Sequence, residues 1–247
     1  MIKFLIVVTG WNCQQYVKSC IESIEAQTYR NFKVVIVNDG STDNTLKEIF
    51  KNIHLLKELD VVLATSKHNV GTVCARDRVI KAFDDYDVVA WLDMDDCLVC
   101  NALEKVAQAY HNRPETWLTY GNYVDIEWRS FFDEKTIQFP DEVHKNRSYR
   151  TDQWRFVHLR TFRKELYMKL SKEDLYPEHR TIYPDANMLY CLLEMAGEQH
   201  ISAIPELIYR YTHNNPLNVL NRYTEAERNK ELSFIQQLKP KQQLPSL

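Results

Sequence analysis

Four short, almost wholly apolar runs, Ile2 to Val8, Phe32 to Val37, Val61 to Ala64 and Val88 to Leu92, do most to restrict what this chain can become. Such a run, without polar alternation, is what a strand covered on both faces requires. After the first, Tyr16, Val17, Cys20, Ile21 and Ile24 recur at helical spacing. Leu46, Ile49 and Phe50 do so after the second, and Val73 to Phe83 reads as a third helix. Strands alternating with helices predict an α/β fold with a mostly parallel central sheet, because a parallel neighbour needs a crossover long enough to hold a helix. Open sheets of this kind bind ligands beyond the carboxyl ends of their strands. Polar clusters stand at three such ends: Thr9 to Asn12, Asp39 to Asp43 and Asp93 to Asp96.

The third cluster places three carboxylates within four residues, Asp93-Met94-Asp95-Asp96. Residues i and i+2 of an extended segment point to one side, so Asp93 and Asp95 can converge on a cation while Asp96 projects elsewhere, where it could cap the next helix. Unpaired carboxylates facing one another repel, and a divalent cation removes that penalty. Mg²⁺ in particular is held by one or two carboxylates plus substrate phosphates. The competing reading is an ordinary Asp-rich turn or helix cap.

The 247 residues are 45% hydrophobic and 26% charged, and the formal charge of −3 exerts no global pull towards nucleic acid or membrane. Phe4 to Val8 is too short for a secretory apolar region, and no run approaches the ~18 residues needed to span a bilayer. The expected location is cytoplasmic, soluble or peripheral to a membrane through a partner or a lipid acceptor. The six cysteines are scattered and read as free thiols; Cys97 and Cys100 lack a second pair and read as small buried side chains. In the second half, Trp117 to Tyr123 reads as a strand and Pro184 to Ala196 as a helix. Glu127 to Arg150, with mixed charge and Pro140, reads as a mobile surface segment. Expected divisions are 1–121, 122–235 as the other half of the same domain, and 236–247 as a flexible tail.

The order of these pieces resembles the GT-A glycosyltransferases of family 2. The carriers are Val7-Val8-Thr9-Gly10-Trp11-Asn12, Val37-Asn38-Asp39-Gly40-Ser41-Thr42-Asp43, Asn69-Val70-Gly71-Thr72-Val73-Cys74-Ala75-Arg76-Asp77 and Leu92-Asp93-Met94-Asp95-Asp96. Each is weak alone, but four in one order at compatible spacing are specific, and the likeness covers nearly the whole chain. The resemblance implies a Rossmann-like three-layer sandwich. It also implies metal-dependent, inverting transfer of one sugar from a nucleotide-diphosphate sugar, with a UDP-sugar favoured, to the hydroxyl of a glycan or other acceptor.

By the same resemblance Asp39 accepts an N–H of the base, Trp11 stacks on base or ribose, and Arg76 pairs with phosphate or orients a carboxylate. Thr9, Asn12 and Asn69 complete the nucleotide crevice. Asp93 and Asp95, with His213, hold Mn²⁺ or Mg²⁺, and Asp93 can instead reach the ribose. Asp185 stands where the family carries its catalytic base, although Pro184 and Asp185 also suit a helix start. His158, Arg160 and Arg163 border the acceptor in the family, or else form a solvated basic face. The chain departs from the family at Gly10, at Asp77 where Asn is common, and at Pro184 where a first acidic residue is usual. It lacks the Gln-x-x-Arg-Trp of processive synthases, which implies addition of one residue at a time. Rival readings are a non-catalytic nucleotide-sugar-binding module and a nucleotidyltransferase. The latter would carry a Gly-rich phosphate loop with a Lys, which Thr9 to Gln15 does not.

Overall fold

In the computed structural model, which describes residues 1–125, 138–177 and 182–247, each of the four apolar runs forms a strand. The order is β1 Phe4–Gly10, α1 Val17–Glu25, β2 Phe32–Asn38, α2 Thr45–Asn52, β3 Asp60–Thr65, α3 Thr72–Ala82 and β4 Val88–Asp93. It continues through β5 Cys97–Leu98, α4 Ala102–Asn112, β6 Leu118–Asp125, α5 Asp141–Asn146 and β7 Arg160–Arg163. Last come α6 Lys164–Tyr167, α7 Lys172–Leu175, α8 Ala186–Ala196, β8 Ile201–Tyr211, α9 Val219–Arg222 and α10 Glu225–Gln237.

One eight-stranded sheet in the order β3-β2-β1-β4-β7-β6-β8-β5 runs through both halves of the chain. The block β3-β2-β1-β4 is parallel, as is β6 with β8, while β7 runs antiparallel to β4 and β6, and β5 to β8. The expected division at 121 therefore falls inside β6. Both faces are covered: Leu5 and Val7 of β1 pack with Val79 and Ile80 of α3 and with α8, whereas Phe4, Ile6 and Val8 meet α1, Ile49 of α2 and Val106 of α4. Period-2 alternation along a strand sends successive apolar side chains to opposite layers, so the run must be apolar throughout. Among the described residues no helix is long and apolar enough to cross a membrane.

Several expectations for the second half change. Of the surface segment expected at Glu127 to Arg150, residues 127–137 lie outside the described residues. The remainder forms α5 and places Tyr149 and Arg150 in the interior. The predicted flexible tail is anchored: the Lys241 amide donates to Glu194 Oε2 at 2.8 Å, its ammonium pairs with Asp174 at 2.7 Å, and the Leu244 amide donates to Met195 O at 2.9 Å. Glu194, fully buried in α8, supplies the physical reason, since a buried carboxylate must be hydrogen-bonded and paired. The Arg160 to Arg163 stretch is not a solvated basic face. It is β7, inserted at the centre of the sheet, with Arg160 and Phe162 buried and the Arg163 guanidinium donating to the carbonyls of Thr116 and Pro114. All six cysteines are free, and Cys100 is exposed rather than buried.

Candidate active site

The strands β1, β2 and β4 end side by side, with Thr9 in register with both Val37 and Asp93. The loops beyond them enclose a cavity of about 530 Å³ lined by Thr9, Gly10, Trp11, Asp39, Asn69, Asp93 and Asp95 from the first half and by Pro184, Asn215, Leu217, Arg222 and Tyr223 from the second. Six of the ten predicted site residues thus meet on one cavity, and Asn12, Arg76, Asp185 and His213 stand outside its lining.

The first-half wall is built by backbone contacts between loops. A Cβ on Gly10 would lie 2.7 Å from Cys13 Sγ and from the Met94 side chain, so the departure at Gly10 lets the β1 and β4 loops close on one another. Asn12 adopts φ 52°, a left-handed conformation that Asn tolerates. Its side-chain oxygen accepts the Thr42 N–H at 2.8 Å and its own N–H donates to Ser41 Oγ at 3.0 Å. It therefore latches the β1 loop to the β2 loop. The Asp39 carboxylate accepts the N–H groups of Val70 at 3.0 Å and Gly71 at 2.9 Å. That approach depends on Gly40, at φ +68°, where a Cβ would fall 2.3 Å from the His68 carbonyl carbon.

Arg76 points inward from α3 with 2% exposure, donates to Asp93 Oδ1 at 2.5 Å and lies 4.5 Å over the Trp91 ring. Its role here is to orient that carboxylate from behind. Its neighbour Asp77 faces the other way, accepting from Tyr167 Oη at 2.9 Å and pairing with Lys81.

After Asp93 the backbone turns, with the Asp96 N–H donating to Asp93 O at 3.0 Å, so the i, i+2 alternation invoked for the triplet stops there. Asp93 and Asp95 nevertheless both reach the cavity. Burial, followed by the charge of Asp93, pushes the Asp95 carboxyl up to about 6, and Asn215 donates to its Oδ2 at 2.7 Å. Asp96 does not cap α4. Buried at 1% exposure, it accepts from Tyr209 Oη at 2.7 Å and from the Thr212 N–H at 2.8 Å, tying the β4 loop to the end of β8. Burial and the charges of Asp95 and Asp93 hold it well above the usual carboxylate range.

Among the described residues the ligand atoms of Asp93, Asp96 and His158 lie within 4.8 Å of one another. The histidine in this group is His158, not the expected His213, which is packed edge-on against Tyr211 at 4.7 Å. The His158 ring stacks on Tyr209 at 4.7 Å, and burial keeps its pKa well below the ordinary value, so the imidazole is neutral and able to ligate. A divalent cation fits the Asp93 and Asp95 pair: two carboxylates open onto one cavity, and one of them is destabilised by the charge of the other.

Asp185 immediately precedes α8, yet its side chain makes no capping hydrogen bond; Arg160 donates to its Oδ2 at 3.0 Å. Sequence reasoning assigned no role to Tyr209, Thr212 and Asn215, which contact the triplet from far along the chain, or to Arg222, which lines the cavity. The only available signal was the polar, aromatic stretch after Tyr209.

The model of the family described as glycosyl transferase family 2 matches residues 5–176. An uncharacterized glycosyltransferase of Haemophilus influenzae is 29% identical over 121 residues, which cover 49% of this chain and 36% of that protein. The UDP-Glc:alpha-D-GlcNAc-diphosphoundecaprenol beta-1,3-glucosyltransferase WfaP of Escherichia coli is 29% identical over 142 residues, 56% of this chain and 52% of WfaP. The chain thus spans about half or less of the length of these relatives. Among solved structures, S. aureus TarS 1-349 in complex with UDP-GlcNAc superposes with a TM-score of 0.71 at 16% identity, covering 95% of this chain and 65% of that one. The mannosyltransferase PcManGT from Pyrobaculum calidifontis in complex with GDP-Man and Mn²⁺ gives 0.60 at 16% identity, covering 85% and 56%. These overlays establish that the fold is of the GT-A kind.

Proposed function

Because the chain belongs to glycosyl transferase family 2, we propose that it moves one sugar from a nucleotide-diphosphate sugar, a UDP-sugar in first place, to an acceptor hydroxyl with inversion, in glycan or polysaccharide biosynthesis. The observation that carries the proposal is the convergence of Asp39, Asp93 and Asp95 on a single cavity of about 530 Å³, within the range of small-molecule sites. The nucleotide sugars in TarS and in the mannosyltransferase support that class of donor.

A carboxylate has about four acceptor positions, so Asp39 keeps capacity for a pyrimidine N–H beside its two backbone donors. Trp11 offers the base or ribose an aromatic face. Asp93, oriented by Arg76, and Asp95 would hold Mn²⁺ or Mg²⁺; a cation bound there would neutralise charge on the leaving diphosphate. Arg160 holds one oxygen of Asp185, leaving Oδ1 to take the proton of the acceptor hydroxyl. The hydroxyl oxygen then bonds to the anomeric carbon as the carbon–oxygen bond to the nucleoside diphosphate breaks, and that electron pair leaves with the diphosphate.

The test is release of nucleoside diphosphate and transfer of labelled sugar from UDP-glucose, UDP-GlcNAc and GDP-mannose with Mn²⁺, in the wild type, Asp95→Asn and Asp185→Asn. Asp185→Asn is expected to lower transfer by about 10²- to 10⁴-fold. Full transfer by that variant would remove the base, and full donor turnover by Asp95→Asn would remove the metal assignment. A wild type inert towards every donor but still binding one would leave only a binding module.

A further inference from the structure

Among the described residues, the charge of the cavity is one-sided. Asp39, Asp93 and Asp95 face it, whereas Arg76 lies behind Asp93, buried and already engaged with it. Among the described residues that line it, Arg222 alone carries a positive charge. It closes α9, within the arm that joins β8 to α10. That arm is fastened to the acidic triplet: Thr212 donates to Asp96 and Asn215 to Asp95, and the Asn215 carbonyl accepts from the Asn218 N–H and from Asn221 Nδ2, both at 2.9 Å. The Arg222 guanidinium lies 5.6 Å from the Tyr223 ring centroid and, among the described residues, has no carboxylate partner.

A donor diphosphate brings at least two negative charges to a cavity that already holds three carboxylates, and one divalent cation offsets only part of that repulsion. A guanidinium matches phosphate oxygens in a bidentate fork and stays charged at every working pH. We propose that Arg222 is the counter-charge for the donor diphosphate, presented by an arm whose position is set by the Asn215 contact with Asp95. This deepens the nucleotide-sugar reading and rests on it. His213, expected from the resemblance to help hold the metal, packs on Tyr211 and does not line the cavity, whereas Arg222 does.

The experiment is titration of the wild type, Arg222→Ala, Arg222→Lys and the exposed helix variant Arg78→Ala with UDP and with uridine, in Mn²⁺, followed by tryptophan fluorescence. Arg222→Ala should weaken UDP binding about tenfold or more, leave uridine binding and the melting temperature unchanged, and flatten the salt dependence. Arg222→Lys should recover part of the loss, and Arg78→Ala should match the wild type. UDP binding by Arg222→Ala within twofold of the wild type would overturn the assignment while sparing the nucleotide site. A wild type that binds neither UDP nor uridine would overturn the donor reading and Arg222 with it.

Discussion

Asp95→Asn should stabilise the cation-free protein at pH 7.5 and much less at pH 4. Burial and the Asp93 charge raise the Asp95 carboxyl from its ordinary 3.8 to about 6. An acid whose folded-state pKa lies above its unfolded value takes up a proton on folding. Its favourable contribution is complete below the unfolded pKa and is lost as pH rises through about 6. Above that pH the ionised group burdens the native state by about 3 kcal/mol, at 1.36 kcal/mol per pH unit. Asparagine removes the charge and keeps an oxygen for the Asn215 amide, so the polar contact survives. Urea unfolding in the presence of EDTA should show the variant more stable by about 2–3 kcal/mol at pH 7.5 and by under about 1 kcal/mol at pH 4. Millimolar Mn²⁺ should then raise the wild type more than the variant, since only binding to the native state shifts the equilibrium. A difference of equal size at both pH values, or a variant less stable at pH 7.5, would refute the reasoning.

Glu194→Gln leaves Arg150 buried without its carboxylate, a change that should cost about 3–5 kcal/mol in urea unfolding; a loss below about 1 kcal/mol would dismiss the pair as a structural element. Deleting residues 239–247 removes the Lys241 and Leu244 contacts, and calorimetry should register a melting temperature lower by roughly 4–8 °C, the equivalent of about 2 kcal/mol; an unchanged melt would return the segment to a loose tail. Asn12→Ala breaks the latch to Thr42 and Ser41 in a left-handed backbone, so about 1–2 kcal/mol should be lost in denaturant melts, and Asn12→Gly should lose less because glycine accepts that φ.

The first four strands and the helices between them were legible because their apolar runs must serve two buried faces, as Phe4 to Val8 do. The strand ends that make the first-half wall of the cavity were legible for the same reason, with Asp39 and Asp93 falling where those runs stop. The tail was misread because its anchor, Glu194, lies 47 residues away, and nothing in a run of Lys, Gln and Pro announces a buried carboxylate waiting for an amide. Of the two readings of Arg160, the solvated basic face failed, because it rested on the rule that basic residues ordinarily face solvent. Here an antiparallel strand carries one into the middle of a sheet, where Asp185 accepts from it.

The acidic triplet divides the same way. By itself the sequence determined that three carboxylates follow the apolar run of β4, at a strand end like those of Thr9 and Asp39; strand pairing then puts Thr9, Val37 and Asp93 in one row. Only the tertiary structure decided their separate tasks: Asp93 braced by Arg76, Asp95 held by Asn215 at the cavity, Asp96 sealed under Tyr209, and His158 brought near in place of His213. The reason is physical. Periodicity reports which face a residue takes within its own element, whereas the partner of a buried charge is chosen by whichever distant segment the sheet order lays beside it.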